Sequence, residues 1–437
     1  MLSKNAPAGF GHFGLNEALV RGIRDAGFTS PRAIQEATIP AGLQGRDVLG
    51  LAQTGTGKTA AFALPLLHRL LEKSGRGPRV LILAPTRELA AQIAAEFRVL
   101  SRHTRVKTVT VFGGVSTVPQ IKALREQPEI VVGCPGRLLD LMQQRALRLE
   151  RVEALVIDEA DHMFDLGFLR DVRRILNALP KQRQNLLFSA TMPREIRKLA
   201  DELLTDPQVV ELADAAPAST IDHALVAVLE KRKRALLEAV LHEDDYDSAI
   251  VFMRTKRRAK QLADQLSKSG HRAVALQGNM SQGARDRAMG GFRARRFDIL
   301  VATDIAARGI DVSGVSHVIN YDVPNTPEAY THRIGRTGRA ELDGTACTFV
   351  TPDDRGWVIA VERMIGAPIE RREVAGFDPR EQPQGPRRKG EVRGRPSGAR
   401  RGAAAAVASA PAAAPAEKSR PRRRNGRVRS GSRRRVA

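Results

Sequence analysis

Short runs of Val, Ile and Leu alternate with longer amphipathic segments along this chain, and the alternation occurs twice. Val80–Ala84, Glu129–Val132, Ala154–Ile157 and Asn185–Phe188 are such apolar runs, with helix-spaced segments such as Arg87–Leu100 and Pro193–Leu204 between them. Strands without a polar face must be covered on both sides, which implies a parallel sheet with helices on each face. After the Pro/Ala/Asp-rich stretch Asp206–Ser219 the pattern restarts with Ala249–Met253, Arg272–Leu276, Ile299–Ala302, His317–Tyr321 and Thr345–Val350. The expected fold class is therefore α/β, with two tandem domains over residues 1–208 and 223–372 and a linker over 209–222. A length of 437 residues suits more than one core. A cleft between two such domains is a natural ligand site.

Beyond Arg372 the periodicity stops. Residues 373–437 hold 18 Lys/Arg against 5 Asp/Glu, a net +13 of the chain's +23. Arg387–Arg401 and Arg420–Arg435 are rich in Arg, Gly and Pro and flank an Ala/Pro run, Ala403–Ala416. Too little apolar surface is available there to offset chain entropy, so a disordered basic tail is expected. The charge points to an anionic polymer as partner. No stretch approaches the roughly 20 uninterrupted apolar residues of a membrane span. Met1–Gly14 lacks the apolar core of a signal peptide, so a cytosolic protein is expected. The two cysteines, Cys134 and Cys347, have neither a zinc-site spacing nor a secreted context, which argues against a metal centre or a disulfide.

The most informative local pattern is Ala52-Gln-Thr-Gly-Thr-Gly-Lys-Thr59. It follows the apolar segment Asp47–Leu51 and opens a helix-compatible run, Ala60–Leu71, which is the setting of a Walker A phosphate loop. Gly55 and Gly57 let backbone N–H groups close around phosphate oxygens, with Gln53, Thr54 and Thr56 completing the loop. The helix N-terminus adds partial positive charge. Lys58 is spaced to reach the β- and γ-phosphates of ATP, and Thr59 to hold Mg2+. Ala52 replaces the first glycine of the strict pattern.

About a hundred residues on, Ala154-Leu-Val-Ile157 ends in Asp158-Glu-Ala-Asp161. A carboxylate at the tip of a buried parallel strand lies at the ligand edge of its sheet. Asp158 there completes the Mg2+ shell and Glu159 orients or deprotonates the attacking water. The alternative, an acidic first helical turn, carries no chemistry.

Together these motifs resemble the DEAD-box ATP-dependent RNA helicases of superfamily two, over roughly Phe10 to Arg372 and in the family's motif order. The resemblance implies two RecA-like domains, ATP and Mg2+ as ligands, and RNA as partner, single-stranded or duplex and bound without sequence preference. Gly27-Phe-Thr-Ser-Pro-Arg-Ala-Ile-Gln35 looks like the family's Q motif, with Phe10 as its isolated upstream aromatic. A carboxamide at Gln35 can donate and accept at once, matching adenine's N6 and N7 and favouring ATP over GTP. Asp158 would reach the metal through water. Ser189-Ala-Thr191 resembles the motif whose hydroxyls bond the acidic quartet at Asp161 and couple hydrolysis to RNA binding. His332-Arg-Ile-Gly-Arg-Thr-Gly-Arg339 resembles motif VI, with His332 in coupling and Arg336 and Arg339 as arginine fingers from the second domain. Its rival reading is a plain RNA-binding patch, to which Arg333 would belong. Asp311 would contact the ribose and Arg308 organise the interface.

Implied RNA contacts are Pro85, Thr86 and Arg87, then Gly113 with Gly114, and Pro135, Gly136 and Arg137. In the second domain they are Arg254 with Thr255, Gln282, Arg285 and Thr303. Such groups position a sugar–phosphate backbone and carry little base information. Several residues depart from the family pattern. Arg32-Ala33 stands for Thr-Pro, Cys134 for Thr, Gln277 for His, and His162 and Phe164 for Arg and Leu. The tail would add salt-sensitive RNA affinity. The compact core, without a recognisable folded module after Arg372, looks most like the bacterial RhlE-type branch. A monomer is expected, acting on ribosomal precursors or with RNA-decay machinery. An ATP-gated RNA clamp and, more weakly, a DNA helicase remain open beside duplex remodelling.

Overall fold

The computed structural model describes residues 9–53, 55–212, 221–243, 246–307, 315–338 and 343–378. Thr54, Arg308, Asp311, Arg339 and residues 379–437 lie outside the described residues, as does 213–220.

Two seven-stranded sheets, each entirely parallel, organise the chain. The first contains β1 (Val48–Leu51), β2 (Val80–Leu83), β3 (Thr108–Val111), β4 (Ile130–Gly133), β5 (Ala154–Ile157), β6 (Gln184–Ser189) and β7 (Gln208–Glu211). Their spatial order is β3-β4-β2-β5-β6-β1-β7. The second contains β8 (Ile221–Ala227), β9 (Ala249–Met253), β10 (Ala273–Leu276), β11 (Ile299–Thr303), β12 (His317–Asn320), β13 (Gly344–Val350) and β14 (Glu370–Arg371). Their order is β10-β11-β9-β12-β13-β8-β14. Numbered from its own first strand, each sheet has the same order, so one topology is built twice.

Each sheet divides its side chains between two cores, because successive residues of a strand face opposite ways. Val80 and Ile82 of β2 join one apolar cluster, and Leu81 and Leu83 the other. Ile250 and Phe252 of β9 are likewise separated from Ala249, Val251 and Met253. Full burial on both faces is why these strands carry no polar alternation.

The α/β expectation of two parallel sheets holds, and the differences lie at the margins. β7 occupies residues 208–211 and β8 begins at Ile221, so both ends of the stretch expected as linker are sheet. Their alternating, partly exposed residues gave no continuous apolar run. β3, Thr108-Val-Thr-Val111, is an edge strand with three half-buried positions.

The strand ends place the motifs. The loops that follow β1, β2, β5 and β6 carry Ala52–Gly57, Ala84–Thr86, Asp158 with Glu159, and Ala190 with Thr191, all at the carboxyl edge where parallel sheets bind ligands. Among the described residues no helix is long and apolar enough to cross a membrane.

Candidate active site

At the carboxyl edge of the first sheet lies a cavity of about 650 Å³ whose walls include Lys58, Thr59, Asp158 and Glu159. Arg336, from the other lobe, lines the same cavity. Gly55 and Gly57 both hold left-handed backbone, φ 86° and 94°, which a side chain would strain. A Cβ at Gly57 would also stand 2.7 Å from Gln35 Nε2. The helix Lys58–Glu72 starts directly after Gly57, so its N-terminal N–H groups open toward the cavity. Lys58 is buried, and its ammonium donates to the carbonyls of Ala52 at 2.6 Å and Gln53 at 3.0 Å. The Thr56 hydroxyl donates to the Gln53 carbonyl at 2.9 Å. Ala52 itself is packed with Ile34, Ala61 and Val210 behind the loop.

Gln35 is fully buried at the start of the helix Ala33–Leu43. Its Oε1 accepts from the Arg32 N–H at 2.9 Å and its Nε2 donates to the Gly57 carbonyl at 3.2 Å. The carboxamide therefore ties the Q segment to the phosphate loop, leaving one N–H and one lone pair for a base. Arg32 adds a second tie by donating to the Gly55 carbonyl at 2.6 Å. An arginine at this position thus grips the loop through a charged donor.

The acidic quartet is held from several sides. Burial raises the Asp158 carboxyl to about 6 against the opposing charge of Lys58. Burial would also raise Glu159, but the His162 hydrogen bond and the charges of His162, Lys58 and Arg336 prevail and hold it below the ordinary carboxylate value. Glu159 has φ 51° and ψ 55°, a left-handed conformation uncommon for a side chain of its size and of the kind found at reactive centres. Asp161 Oδ2 accepts from both the backbone N–H and the hydroxyl of Thr191 at 3.0 Å. The Ser189 hydroxyl accepts from the Asp161 N–H at 3.2 Å and donates to the Thr191 carbonyl at 2.7 Å. Quartet and hydroxyl motif are thus one hydrogen-bonded unit.

Glu96 escaped sequence reasoning. It lines the cavity from the helix Arg87–Leu100, and burial raises its carboxyl to about 7, opposed by a hydrogen bond with Thr59. It stands one helical turn beyond Gln92, which lines the same cavity, and no motif marks either residue. Among the described residues no cluster of three His, Cys, Asp or Glu side chains could cage a metal. The Thr59 hydroxyl and the Asp158 carboxylate at one cavity wall are hard oxygen donors, a set that fits Mg2+ completed by phosphate and water.

The lobes meet through the expected RNA-contact residues. Arg87 donates to Gln282 at 3.0 Å, and Arg285 pairs with Glu88 at 2.7 Å. A Cβ on Gly114, whose φ is 75°, would overlap the Arg87 guanidinium. Arg137 is held by the Val115 carbonyl, and Pro135 is buried while Gly136 is exposed. The Arg254 side chain is exposed while its N–H donates to Asp322. Thr255 caps the helix Lys256–Lys268. The Thr86 hydroxyl likewise accepts the Leu89 N–H as a helix cap. Cys134 starts its helix without a side-chain cap, and burial pushes its thiol up to about 12.

Three of the expected residues sit otherwise than their motifs suggest. Phe10 is fully buried against Phe13 and Phe28 and is absent from the cavity wall, where Phe28 stands instead. Its isolation in sequence hid an aromatic core contact. Arg333 is no RNA patch: it is buried over the Phe252 ring, donating to Asp304, Asn320 and the Asp322 carbonyl. It braces the segment that carries His332 and Arg336. The Thr303 hydroxyl is buried without a hydrogen-bond partner among the described residues, so it is not presented to solvent.

The DEAD/DEAH box helicase family model matches residues 32–199, and the model of the helicase conserved C-terminal domain matches residues 231–341. The ATP-dependent RNA helicase CshA of Listeria monocytogenes is 46% identical over 354 residues, spanning 81% of this chain and 68% of that protein. Dbp5 of S. cerevisiae bound to RNA and ADP BeF3 has a TM-score of 0.75 at 32% identity, covering 83% of this chain and 95% of that one. A single-site variant of Dbp5 bound to Nup159, Gle1, IP6 and ADP scores 0.59 at 31% identity, covering 82% and 95%. The higher score with the RNA-bound form agrees with lobes joined through Arg87, Glu88, Gln282 and Arg285.

Proposed function

The chain belongs to the DEAD-box ATP-dependent RNA helicases, and we propose that its interlobe cavity is where ATP hydrolysis is made to depend on RNA. It is built of tandem RecA-like domains and uses RNA-stimulated ATP hydrolysis, to ADP and phosphate, to unwind or remodel RNA. The observation that carries the site assignment is the cavity itself, where Lys58, Asp158 and Glu159 of one lobe meet Arg336 of the other.

In this reading Gly55, Gly57 and the helix N-terminus cradle the phosphates, and Lys58 leaves its carbonyl partners for the β/γ-phosphates. Thr59 and Asp158 would hold Mg2+, which supplies charge neutralisation for the transferring phosphoryl group. Glu159 takes the proton of the attacking water, while Arg336, with Arg339, stabilises charge spread over the phosphoryl oxygens. Gln35 reads adenine with its remaining N–H and lone pair, and Asp311 holds the ribose. Asp161, Ser189, Thr191, His332 and Arg308 couple the nucleotide to RNA.

RNA binds without sequence preference along Pro85–Arg87, Gly114, Pro135–Arg137, Arg254, Gln282, Arg285 and Thr303. The contacts Arg87–Gln282 and Arg285–Glu88 would rearrange as RNA enters, and the Thr303 hydroxyl would be uncovered. The basic tail supplies further salt-sensitive affinity. The protein works as a cytosolic monomer on ribosomal precursors or beside RNA-decay machinery. The relative compared above is a CshA protein, so the RhlE-type placement rests on the compact core alone. The test of the site is direct: Lys58→Ala and Glu159→Gln each reduce RNA-stimulated ATP turnover by about 100-fold or more. Near-normal turnover in either variant would overturn its assignment.

A further inference from the structure

His162 lies one helical turn beyond Glu159, with its Nδ1 3.1 Å from Glu159 Oε2. The pair is shielded, the two side chains being 5% and 10% exposed. The other ring nitrogen, Nε2, is sealed from solvent and has no hydrogen-bond partner among the described residues. Buried polar atoms are usually satisfied, and the exceptions gather where function requires them. This imidazole therefore commits one nitrogen to Glu159 and leaves the other without a bond. A histidine serving only to fill the core would be better replaced by an apolar residue of similar size.

Glu159 needs such a tie. Its backbone is left-handed, and it stands at the N-cap of the short helix Ala160–Asp165 without a side-chain capping bond. Across the cavity the charges of Lys58 and Arg336 both attract its carboxylate. Those are the cations that the phosphates require. A carboxylate free to swing onto either would sequester it and lose its aim at the water.

We propose that His162 is a positioning residue for Glu159, holding Oε2 so that Oε1 is left to receive the proton of the attacking water. The proposal rests on the assignment of Glu159 as the base. An ionised carboxylate has no proton to give, so Nδ1 carries the hydrogen of this bond. With Nε2 unpartnered, the ring has no acceptor to which it could relay a proton. The proton stays on Glu159 until the products leave, and His162 contributes orientation only.

The test uses the full chain with His162→Asn, His162→Gln and His162→Leu. Asn places an N–H where Nδ1 stands, Gln places one where Nε2 stands, and Leu has none. His162→Leu and His162→Gln should lower RNA-stimulated kcat about tenfold while the KM for ATP stays within about twofold. His162→Asn should restore kcat to within about threefold of the parent. Unchanged kcat in His162→Leu overturns the proposal, and so does an Asn variant as slow as the Gln variant. If His162→Leu fails to fold, the Asn and Gln pair decides alone. Glu159→Gln is measured in parallel. Normal turnover there removes the base itself, whereas an inactive Glu159→Gln beside an unimpaired His162→Leu removes only the role of His162.

Discussion

Lys58 and Lys233 each begin the first α-helix after the opening strand of their lobe, β1 in one case and β8 in the other. Each faces an aspartate from the loop after the matching strand, Asp158 after β5 and Asp322 after β12. Their partners differ. Lys58 rests on two neutral carbonyls, with Asp158 as a nearby charge. Lys233 is paired directly with Glu230 at 3.0 Å and Asp322 at 3.5 Å. Asp322 also accepts the Arg254 N–H and pairs with Arg258. Between strand and helix, one lobe has two left-handed glycines and the other a 3-10 turn, Glu230-Lys-Arg232. On the proposed assignment, the same topology makes a phosphate site where the lysine's partners are displaceable. In the second lobe carboxylates have already taken the anion's place.

The largest effect expected from breaking this division of labour comes from the cation the second lobe lends across the cleft. Arg336→Ala should lower RNA-stimulated turnover about 10³-fold, with ADP affinity measured by fluorescence titration within about twofold. A loss below tenfold would mean that the first lobe catalyses alone. Next, Lys233→Ala leaves the buried Asp322 carboxylate with Arg258 as its remaining ion-pair partner and should cost about 3 kcal/mol in urea denaturation. Its ADP affinity should match the parent; a loss equal to that of Lys58→Ala would show that the lysines are interchangeable.

The smallest effect concerns Glu96, a carboxyl whose burial outweighs its hydrogen bond with Thr59 and the charge of Arg32. Burial lifts it to about 7, so the folded protein binds its proton more tightly than the unfolded chain. Below its unfolded value near 4.5 both states are protonated and there is no cost. Stability falls as pH rises from there through about 7 and then levels off. Glu96→Gln, which keeps an acceptor for Thr59, should stabilise the nucleotide-free protein by about 2 kcal/mol at pH 8, allowing for partial exposure. The gain should vanish toward pH 4.5. A gain independent of pH would point to packing instead.

What the sequence disclosed follows from the range of each interaction. β2, β5 and β9 were legible because burial on both faces writes itself into consecutive residues. β3 and β7 were not, since edge strands are half exposed and carry no continuous apolar run. The glycine loop after β1 is a local structure, so the left-handed turns at Gly55 and Gly57 could be read from the residues alone. The role of Gln35 as a brace on Gly57 depends on a partner 22 residues away. Arg333 resembled a surface cation because its counter-charge, Asp304, sits 29 residues upstream on another segment. The packing of Phe10 and the place of Glu96 went unread for the same reason: their surroundings are assembled only by folding.

The two carbonyls under Lys58 have a consequence for affinity. A loop whose own carbonyls can host the Lys58 ammonium keeps that charge solvated by protein. Nucleotide arrival is then an exchange of hosts, and its driving force is the difference between phosphate and carbonyl as partners for one cation. Such an exchange is readily reversed. The same carbonyls that receive the lysine when ADP departs give the enzyme a route back to its starting state, which a motor that must repeat itself needs as much as it needs tight binding.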